Sequence, residues 1–530
     1  MNKKLLWLII GIIGFAWLVS KCSVTTGSGS SSERADADEA FKGLTILAGS
    51  ELKDLEFLKL ELEQAAGTSI RWKYSGTLDM VDAVNAPQPE ADLVWAASGK
   101  YLSLAASGKV KASEKIMLSP VILGVKQSIA TQLGWARKSP TWGEVAAAVK
   151  AGKFRYGMTN PTASNSGFCA VVGVAAALSG KTDGLTPADI PTALLKDFFS
   201  GQKLTSGSSG WLADAYLKDA NQLDGLINYE SVILSLNQTG TLAEPLTPVY
   251  PLEGIITSDY PLMLVNTEQR AAYDKLVAFL KTDAVQQRLM SETHRRPVVA
   301  SVAPAAEFGT ALLIELPFPG SLDTLDALLI AYQDDLRRPG HAYFVLDTSG
   351  SMSGDRIEAL REGLATLTGE GGGSRFARFN LREKVDLIPF ANQLKAPLDL
   401  DFGSGEAFTT AKNEYSGFVG GLTADGGTAI YDALLEAFRR AAEDQRAEPD
   451  RYYSIVLMTD GQNTDGRDFA DFQREWQQLG DVKSVRVFPV LFGDSDVAEM
   501  KQVAEMTGGK TFDGRKDSLA KVFKEIRGYQ

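Results

Sequence analysis

Cysteine and histidine are almost missing: the 530 residues hold two of each, Cys22, Cys169, His294 and His341. Zinc fingers, Cys/His zinc enzymes, iron–sulfur clusters and disulfide scaffolds all need more soft ligands than that. Any resident metal must then be a hard ion held by oxygen. Positive charge is also short, with 54 Lys and Arg against 66 Asp and Glu and a formal net charge of −12, so a basic face for nucleic acid is not expected. No Gly-x-x-x-x-Gly-Lys phosphate loop occurs, which leaves ATP hydrolysis unsupported. Two scattered histidines and a Cys169 set in an Ala/Val-rich stretch cannot build a Ser/His/Asp or Cys/His set. The chain therefore reads as a binder and not an enzyme. The 44% hydrophobic and 23% charged fractions are those of a globular protein, which excludes wholesale disorder and a polytopic membrane protein. At roughly 100 to 200 residues per domain, the length predicts three or four units.

A long apolar run occurs at the N-terminus, where Lys3-Lys4 precedes Leu5 to Ser20. At about 1.5 Å per residue it spans under 25 Å, workable for a bilayer with flanking Trp and snorkelling Lys. Lysines ahead of the run predict an inside N-terminus and an exported body. Three readings fit residues 1–22: a retained single-pass membrane anchor, a cleaved signal peptide leaving a secreted or periplasmic protein, and a lipoprotein signal ending at Cys22, against which Lys21 speaks. Residues 23–40, rich in Ser, Gly and Thr, are expected to be a flexible linker.

From Leu44 short apolar runs alternate with helical patterns, a βαβ signal that predicts parallel sheets covered by helices. Ligands in such sheets bind beyond the carboxyl ends of strands. The loops there carry small residues and hydroxyls suited to an oxyanion or other polar solute: Ser50, Ser75 with Thr77, and Ser98. A fourth loop, Tyr156 to Gly167, supplies Asn165 and Ser166 before a helix-like run. Glu230 and Glu253 point the other way, toward a cation or amine. These loops, with the crossover-like strand Pro120 to Val125, resemble the type II solute-binding proteins of ABC importers, including the molybdate- and iron-binding branches. The resemblance covers about Phe41 to Arg296. It implies a two-lobed domain over 41–335, lobe one holding about 41–120 plus 252–335 and lobe two about 121–251, with solute between them and closure by hinge bending. A connecting helix is expected between Ser321 and Arg338, marked by Leu322, Leu325, Leu328, Leu329 and Tyr332 between Pro/Gly pairs.

The strand pattern Ala342 to Leu346 ends in Asp347-Thr348-Ser349-Gly350-Ser351, whose alternate positions turn three oxygens to one side. Thr428 opens a later helix, and the apolar strand Ser454 to Met458 ends in Thr459-Asp460. Two carboxylates and three hydroxyls suit Mg2+ or Mn2+ and not zinc or copper. Asp347, Ser349, Ser351, Thr428 and Asp460, in this order, resemble the metal-ion-dependent adhesion site of von Willebrand factor A (VWA) domains. By that resemblance residues 341–530 form a Rossmann-like, doubly wound α/β domain. Ser349, Ser351 and Thr428 would touch the metal directly, Asp347 and Asp460 would act largely through water, and an open coordination position would receive an acidic side chain from a protein partner. The expectation is an α/β, membrane-anchored, extracytoplasmic protein joining a small-solute cleft to a Mg2+-dependent interaction module. The alternatives are an envelope scaffold whose solute-binding fold binds no ligand, and a metal-dependent hydrolase, for which the sequence nominates no general base.

Overall fold

Strand Leu44–Gly49 is buried at most positions, as an apolar strand covered on both faces requires. The computed structural model containing it describes residues 41–369, 376, 378–491, 493, 497–515 and 519–529. Segments 1–22 and 23–40 lie outside them, so the anchor and linker expectations fall on residues not described. Among the described residues no helix is long and apolar enough to cross a membrane.

Leu44–Gly49 pairs in parallel with Ile70–Ser75 on one side and Leu93–Trp95 on the other. Pro261–Leu264 then returns antiparallel beside Leu93–Trp95, and Ala112–Lys115 lies antiparallel at its far edge. A second sheet is built around the long strand Met117–Lys126, which pairs antiparallel with Gly225–Tyr229, Leu246–Val249, Thr257–Ser258 and Arg296–Pro297. Tyr156–Thr159 and Gln202–Ser206 extend it in parallel. Both sheets are thus mixed and not purely parallel: antiparallel pairs arise where the chain crosses from one sheet to the other and returns. Helix Leu322–Ala331 packs against both helix Lys100–Ala105 and helix Asn165–Ser179, and so touches both lobes of the expected grouping. Thr324 Oγ1 donates to Leu185 O at 3.3 Å, Tyr332 OH donates to Gln202 Oε1 at 3.2 Å, and the Tyr332 ring meets Phe199 edge-on.

The third sheet has the order Leu398–Phe402, Glu383–Phe390, Gly340–Asp347, Tyr452–Thr459, Arg486–Leu491, Phe512–Asp513. The Leu398–Phe402 edge strand runs antiparallel and the rest are parallel. Successive side chains of Gly340–Asp347 point to opposite faces, so Ala342, Phe344 and Leu346 enter one core and Tyr343 and Val345 the other. Helices Asp355–Ala365, Glu406–Gly420 and Leu519–Arg527 bring residues to the first core; Ile430–Ala447 and Val497–Thr507 bring residues to the second. Strand order reverses between Gly340–Asp347 and Tyr452–Thr459, which opens a crevice at their carboxyl ends.

From Leu44 the described chain forms one compact unit, because the third sheet's last helix docks on the second sheet's loops. Tyr529 meets the Trp211 ring edge-on at 4.8 Å, and Asn160 Nδ2 donates to Arg527 O at 3.2 Å.

Candidate metal centre and solute cleft

The crevice of the third sheet gathers four of the five expected oxygen residues into one hydrogen-bonded chain. Asp347 Oδ1 accepts from the Ser349 amide at 2.9 Å, Ser349 Oγ lies 3.0 Å from Ser351 Oγ, and Ser351 Oγ donates to Asp460 Oδ1 at 2.8 Å. Register places Leu346 opposite Met458, so Asp347 and Thr459 leave their strands side by side, and Thr459 Oγ1 donates to Asp347 Oδ2 at 2.8 Å. Thr428 sits on a turn tied to the same loop: the Gly350 amide donates to Gly426 O at 2.8 Å and the Asp425 amide to Thr348 O at 2.9 Å. Its own amide donates to Thr464 Oγ1 at 2.9 Å.

Asp347, Ser349, Thr428 and Asp460 are all buried. Burial raises the Asp347 carboxyl above its ordinary value, the Ser349 and Thr459 hydrogen bonds oppose the shift, and the Asp460 charge adds to it. Two buried carboxylates facing each other through hydroxyls, with no soft donor, fit a hard cation that would neutralise both. One residue the motif does not name also reaches in. Arg356, at the start of helix Asp355–Ala365, pairs with Asp460 Oδ2 and donates to Ser351 O at 3.3 Å. A guanidinium on Asp460 supplies charge balance that a cation would otherwise give.

The solute candidates divide. Ser50 and Ser75 line a cavity of about 230 Å3 with Gly76, Thr162 and Ser208, so loops of both sheets face it. Its far wall is the third sheet's last helix and the residues after it, including Lys524, Gly528 and Tyr529. Ser98 and Thr77 are buried outside this wall, Ser98 Oγ accepting from the Lys100 amide at 3.4 Å. Ser166 bonds to Thr159 and Ser209 hydroxyls at 2.8 Å each. Asn165 Nδ2 donates to Tyr229 OH at 3.0 Å and Ser258 Oγ at 2.9 Å, while its Oδ1 is buried without a partner. Glu51 Oε1 is likewise buried without a partner. Burial raises the Glu51 carboxyl, opposed by its own backbone amide and the Arg295 charge. Burial also raises Tyr229 well above its ordinary range, with the Glu51 charge adding to it. Glu51, Asn165 and Tyr229 therefore form a small polar interior; all three lie in strand-end loops of the sequence pattern, and Asn165 is the one expected to meet solute.

Glu230 is closed to a solute, and the half-buried Glu253 is engaged by the fold. Glu230 is fully buried and held by Arg296 through two bonds of 2.7 Å, with Tyr250 OH as a further donor. Glu253 accepts from the Trp142 amide at 3.1 and 3.0 Å and so satisfies the start of helix Trp142–Lys150. Neither partner lies near in sequence, and neither loop pattern signals it. His341 joins Asp386 at 3.0 Å and Asp444 at 3.7 Å, a grouping a cation could share. Arg440 at 3.3 Å from Asp386 and the Tyr343 hydroxyl at 2.6 Å from Asp444 already satisfy it.

Comparison with known proteins follows this division. Residues 342–525 match the family model of the von Willebrand factor type A domain, and residues 44–292 that of the bacterial extracellular solute-binding protein. The inter-alpha-trypsin inhibitor heavy chain H4 of Bos taurus is 31% identical over 133 residues, 24% of this chain and 13% of that protein. An uncharacterised protein of Synechocystis sp. is 29% identical over 133 residues, 25% of this chain and 27% of that one. The chain thus spans about an eighth of the length of the heavy-chain relative it matches. Among solved structures, the periplasmic binding protein AfuA from Actinobacillus pleuropneumoniae, with exogenous fructose-6-phosphate bound, is 14% identical, with a TM-score of 0.44, and covers 56% of this chain and 99% of its own. A von Willebrand factor type A structure from Catenulispora acidiphila is 21% identical with a TM-score of 0.29, covering 36% of this chain and 42% of its own. The family matches show that this chain joins a bacterial solute-binding domain, matched over 44–292, to a von Willebrand factor type A domain, matched over 342–525.

Proposed function

We propose that the protein is an extracytoplasmic, non-enzymatic binding protein, held at the cell membrane by residues 1–22, that uses Mg2+ (or Mn2+) to engage an acidic side chain of a protein partner. The observation that carries it is the hydrogen-bonded chain Asp347–Ser349–Ser351–Asp460 at a strand-order reversal, with Thr428 tied to the same loop. When bound, the metal supplies an electrophilic centre for a carboxylate ligand. The chain's own residues orient it: the Ser349 amide and Thr459 hydroxyl fix Asp347, and Ser351 fixes Asp460. Mg2+ titration of wild type and Asp347→Ala by calorimetry tests this. A saturable isotherm lost in the variant is expected, and equal binding by both would end the metal reading.

The solute half of the proposal rests on the cavity between Ser50, Ser75 and Ser208 and on the unpaired Glu51 and Asn165 oxygens, which suit a small polar solute. Because the VWA domain's last helix forms one wall, solute exchange and VWA position are coupled through Tyr529 and Lys524, the latter paired with Asp79. A thermal-shift screen of oxyanions, sugar phosphates and amines tests it. One observation favours the scaffold reading instead: the same helix narrows the cavity and is tied to Asp79 on one side of it and to Asn160 on the other. No specific shift in that screen, beside an intact Mg2+ response, would favour the scaffold.

A further inference from the structure

A further cavity, larger than the one lined by Ser50 and Ser75, is separate from both that cavity and the Asp347 crevice. It encloses about 600 Å3 between the second sheet's domain and the amino-terminal strand ends of the VWA sheet, within the size range of small-molecule sites. Its lining is basic in a chain whose net charge is −12. The solute-binding side contributes Arg155, Lys203 and Lys218, and the other wall Arg338, Arg451, Lys483 and Arg486, against Asp219 and Glu505 as acids.

Neutralisation within the fold is partial. Arg155 pairs with Asp224 at 3.2 Å, Arg451 with Glu448, and Arg486 with Asp219. Arg338 directs its donors to main-chain carbonyls, Asp450 O at 3.0 Å, Pro449 O at 3.1 Å and Arg451 O at 3.0 Å. Lys483 lies over the Trp476 ring at 5.7 Å. Among the described residues Lys203, Lys218 and Lys483 form no ion pair with a carboxylate. The crowding registers in the charges themselves: desolvation, then the neighbouring Arg338 and Arg155 guanidiniums, hold the Lys203 amine below its ordinary value. Concentrating like charge in a concave, partly desolvated space is costly unless a counter-charge enters it.

We propose that this interdomain cavity is a binding site for a small polyanion carrying two or more phosphate or carboxylate groups, gripped by lysines of the solute-binding side and cations of the VWA side together. An occupant bridges the two domains and strengthens their docking, independently of solute in the cleft and of metal at Asp347.

The test is calorimetric titration of the full chain with inorganic pyrophosphate, with citrate as a second arm to separate phosphate from carboxylate recognition. The wild type is expected to bind at least one of the two saturably. Lys203→Gln/Lys218→Gln, which alters two exposed side chains and leaves every ion pair named above intact, is expected to weaken binding by about tenfold or more. A control, Lys59→Gln/Lys109→Gln, changes the same net charge at exposed lysines away from the cavity and is expected to stay within about twofold of wild type. Absence of saturable binding at millimolar pyrophosphate and citrate overturns the proposal. So does equal weakening in the control pair, which would reveal nonspecific charge attraction. An unchanged unliganded melting temperature in both variants certifies that folding is not the cause.

Discussion

Glu383 begins a strand of the VWA sheet and is only 2% exposed, yet it is held ionised by two arginines from distant parts of the chain and by the nearby Asn380. Arg527 Nη2 reaches both carboxylate oxygens at 2.6 and 2.7 Å, Arg337 Nη2 bonds Oε1, and the Asn380 amide donates to Oε2 at 3.1 Å. Arg337 ends the connecting segment and Arg527 belongs to the helix that walls the solute cleft, so this one carboxylate clamps the junction. Glu383→Gln keeps the shape and removes the charge, leaving two buried guanidiniums against a neutral amide. Breaking one side of a buried ion pair costs about 3–5 kcal/mol, which for a domain of this size lowers the melting temperature by on the order of 10 °C. The pH dependence has a definite sign. Burial alone would raise the Glu383 carboxyl, and the Arg527 and Arg337 charges more than offset it, so its value in the folded protein lies below the ordinary one. Its stabilisation is therefore full above the unfolded value of about 4.3 and is lost as pH falls through the lower folded value. Urea unfolding of wild type and variant from neutral to acid pH measures both: the gap is expected to be widest at neutral pH and to narrow as the wild-type carboxylate protonates. A destabilisation below about 1 kcal/mol at pH 7, or a gap that widens in acid, would refute the clamp.

Arg356→Ala frees Asp460 from its guanidinium, and calorimetry is expected to show Mg2+ binding tightened by about fivefold, the equivalent of about 1 kcal/mol; weaker binding would show that Arg356 holds Asp460 in place for the metal. Tyr529→Ala removes a ring that is 2% exposed and packed on Trp211, Phe488 and Phe512, with an expected cost of about 3–5 kcal/mol and faster amide exchange in the Gly207–Trp211 loop. Gly207→Val tests the same contact from the other side, since a Cβ there would lie 2.8 Å from the Tyr529 ring; the two substitutions together are expected to cost less than their sum. Cys169 is 1% exposed and burial pushes its thiol up to about 12, so in a Cys22→Ser background a disulfide reagent at pH 8 is expected to leave the native protein untouched and to titrate one thiol after unfolding.

The oxygen cluster at Asp347 was legible as a grouping because its residues are local in sequence. Asp347, Ser349 and Ser351 fall in one short loop, and the strand patterns before Asp347 and Asp460 fix both carboxylates at carboxyl ends of neighbouring strands. The Arg356 contact escaped, since a helix-face arginine has many possible partners, and so did the Thr459 hydroxyl on Asp347 and the Thr464 hydroxyl on the Thr428 amide. The cleft was legible as loops and not as contacts. Ser50 and Ser75 do line a cavity, but whether a polar residue there meets solute or protein depends on residues far along the chain. Glu230 looks available until Arg296, 66 positions later, is seen to hold it. The same holds for the buried Asn160, which meets Arg527 across 367 positions. Helical periodicity assigns the apolar face of Leu519–Arg527 to its own domain's core, and Val522, Phe523 and Ile526 do enter it. What periodicity cannot carry is that Lys524 and the following Gly528-Tyr529 face another domain. Gly528 is required there by close approach: a Cβ would lie 2.8 Å from the Ala163 Cβ. The domain junction is therefore specified by small residues and long-range charges with no local signature, and it is these that make the solute cleft, the basic cavity and the VWA domain parts of one unit.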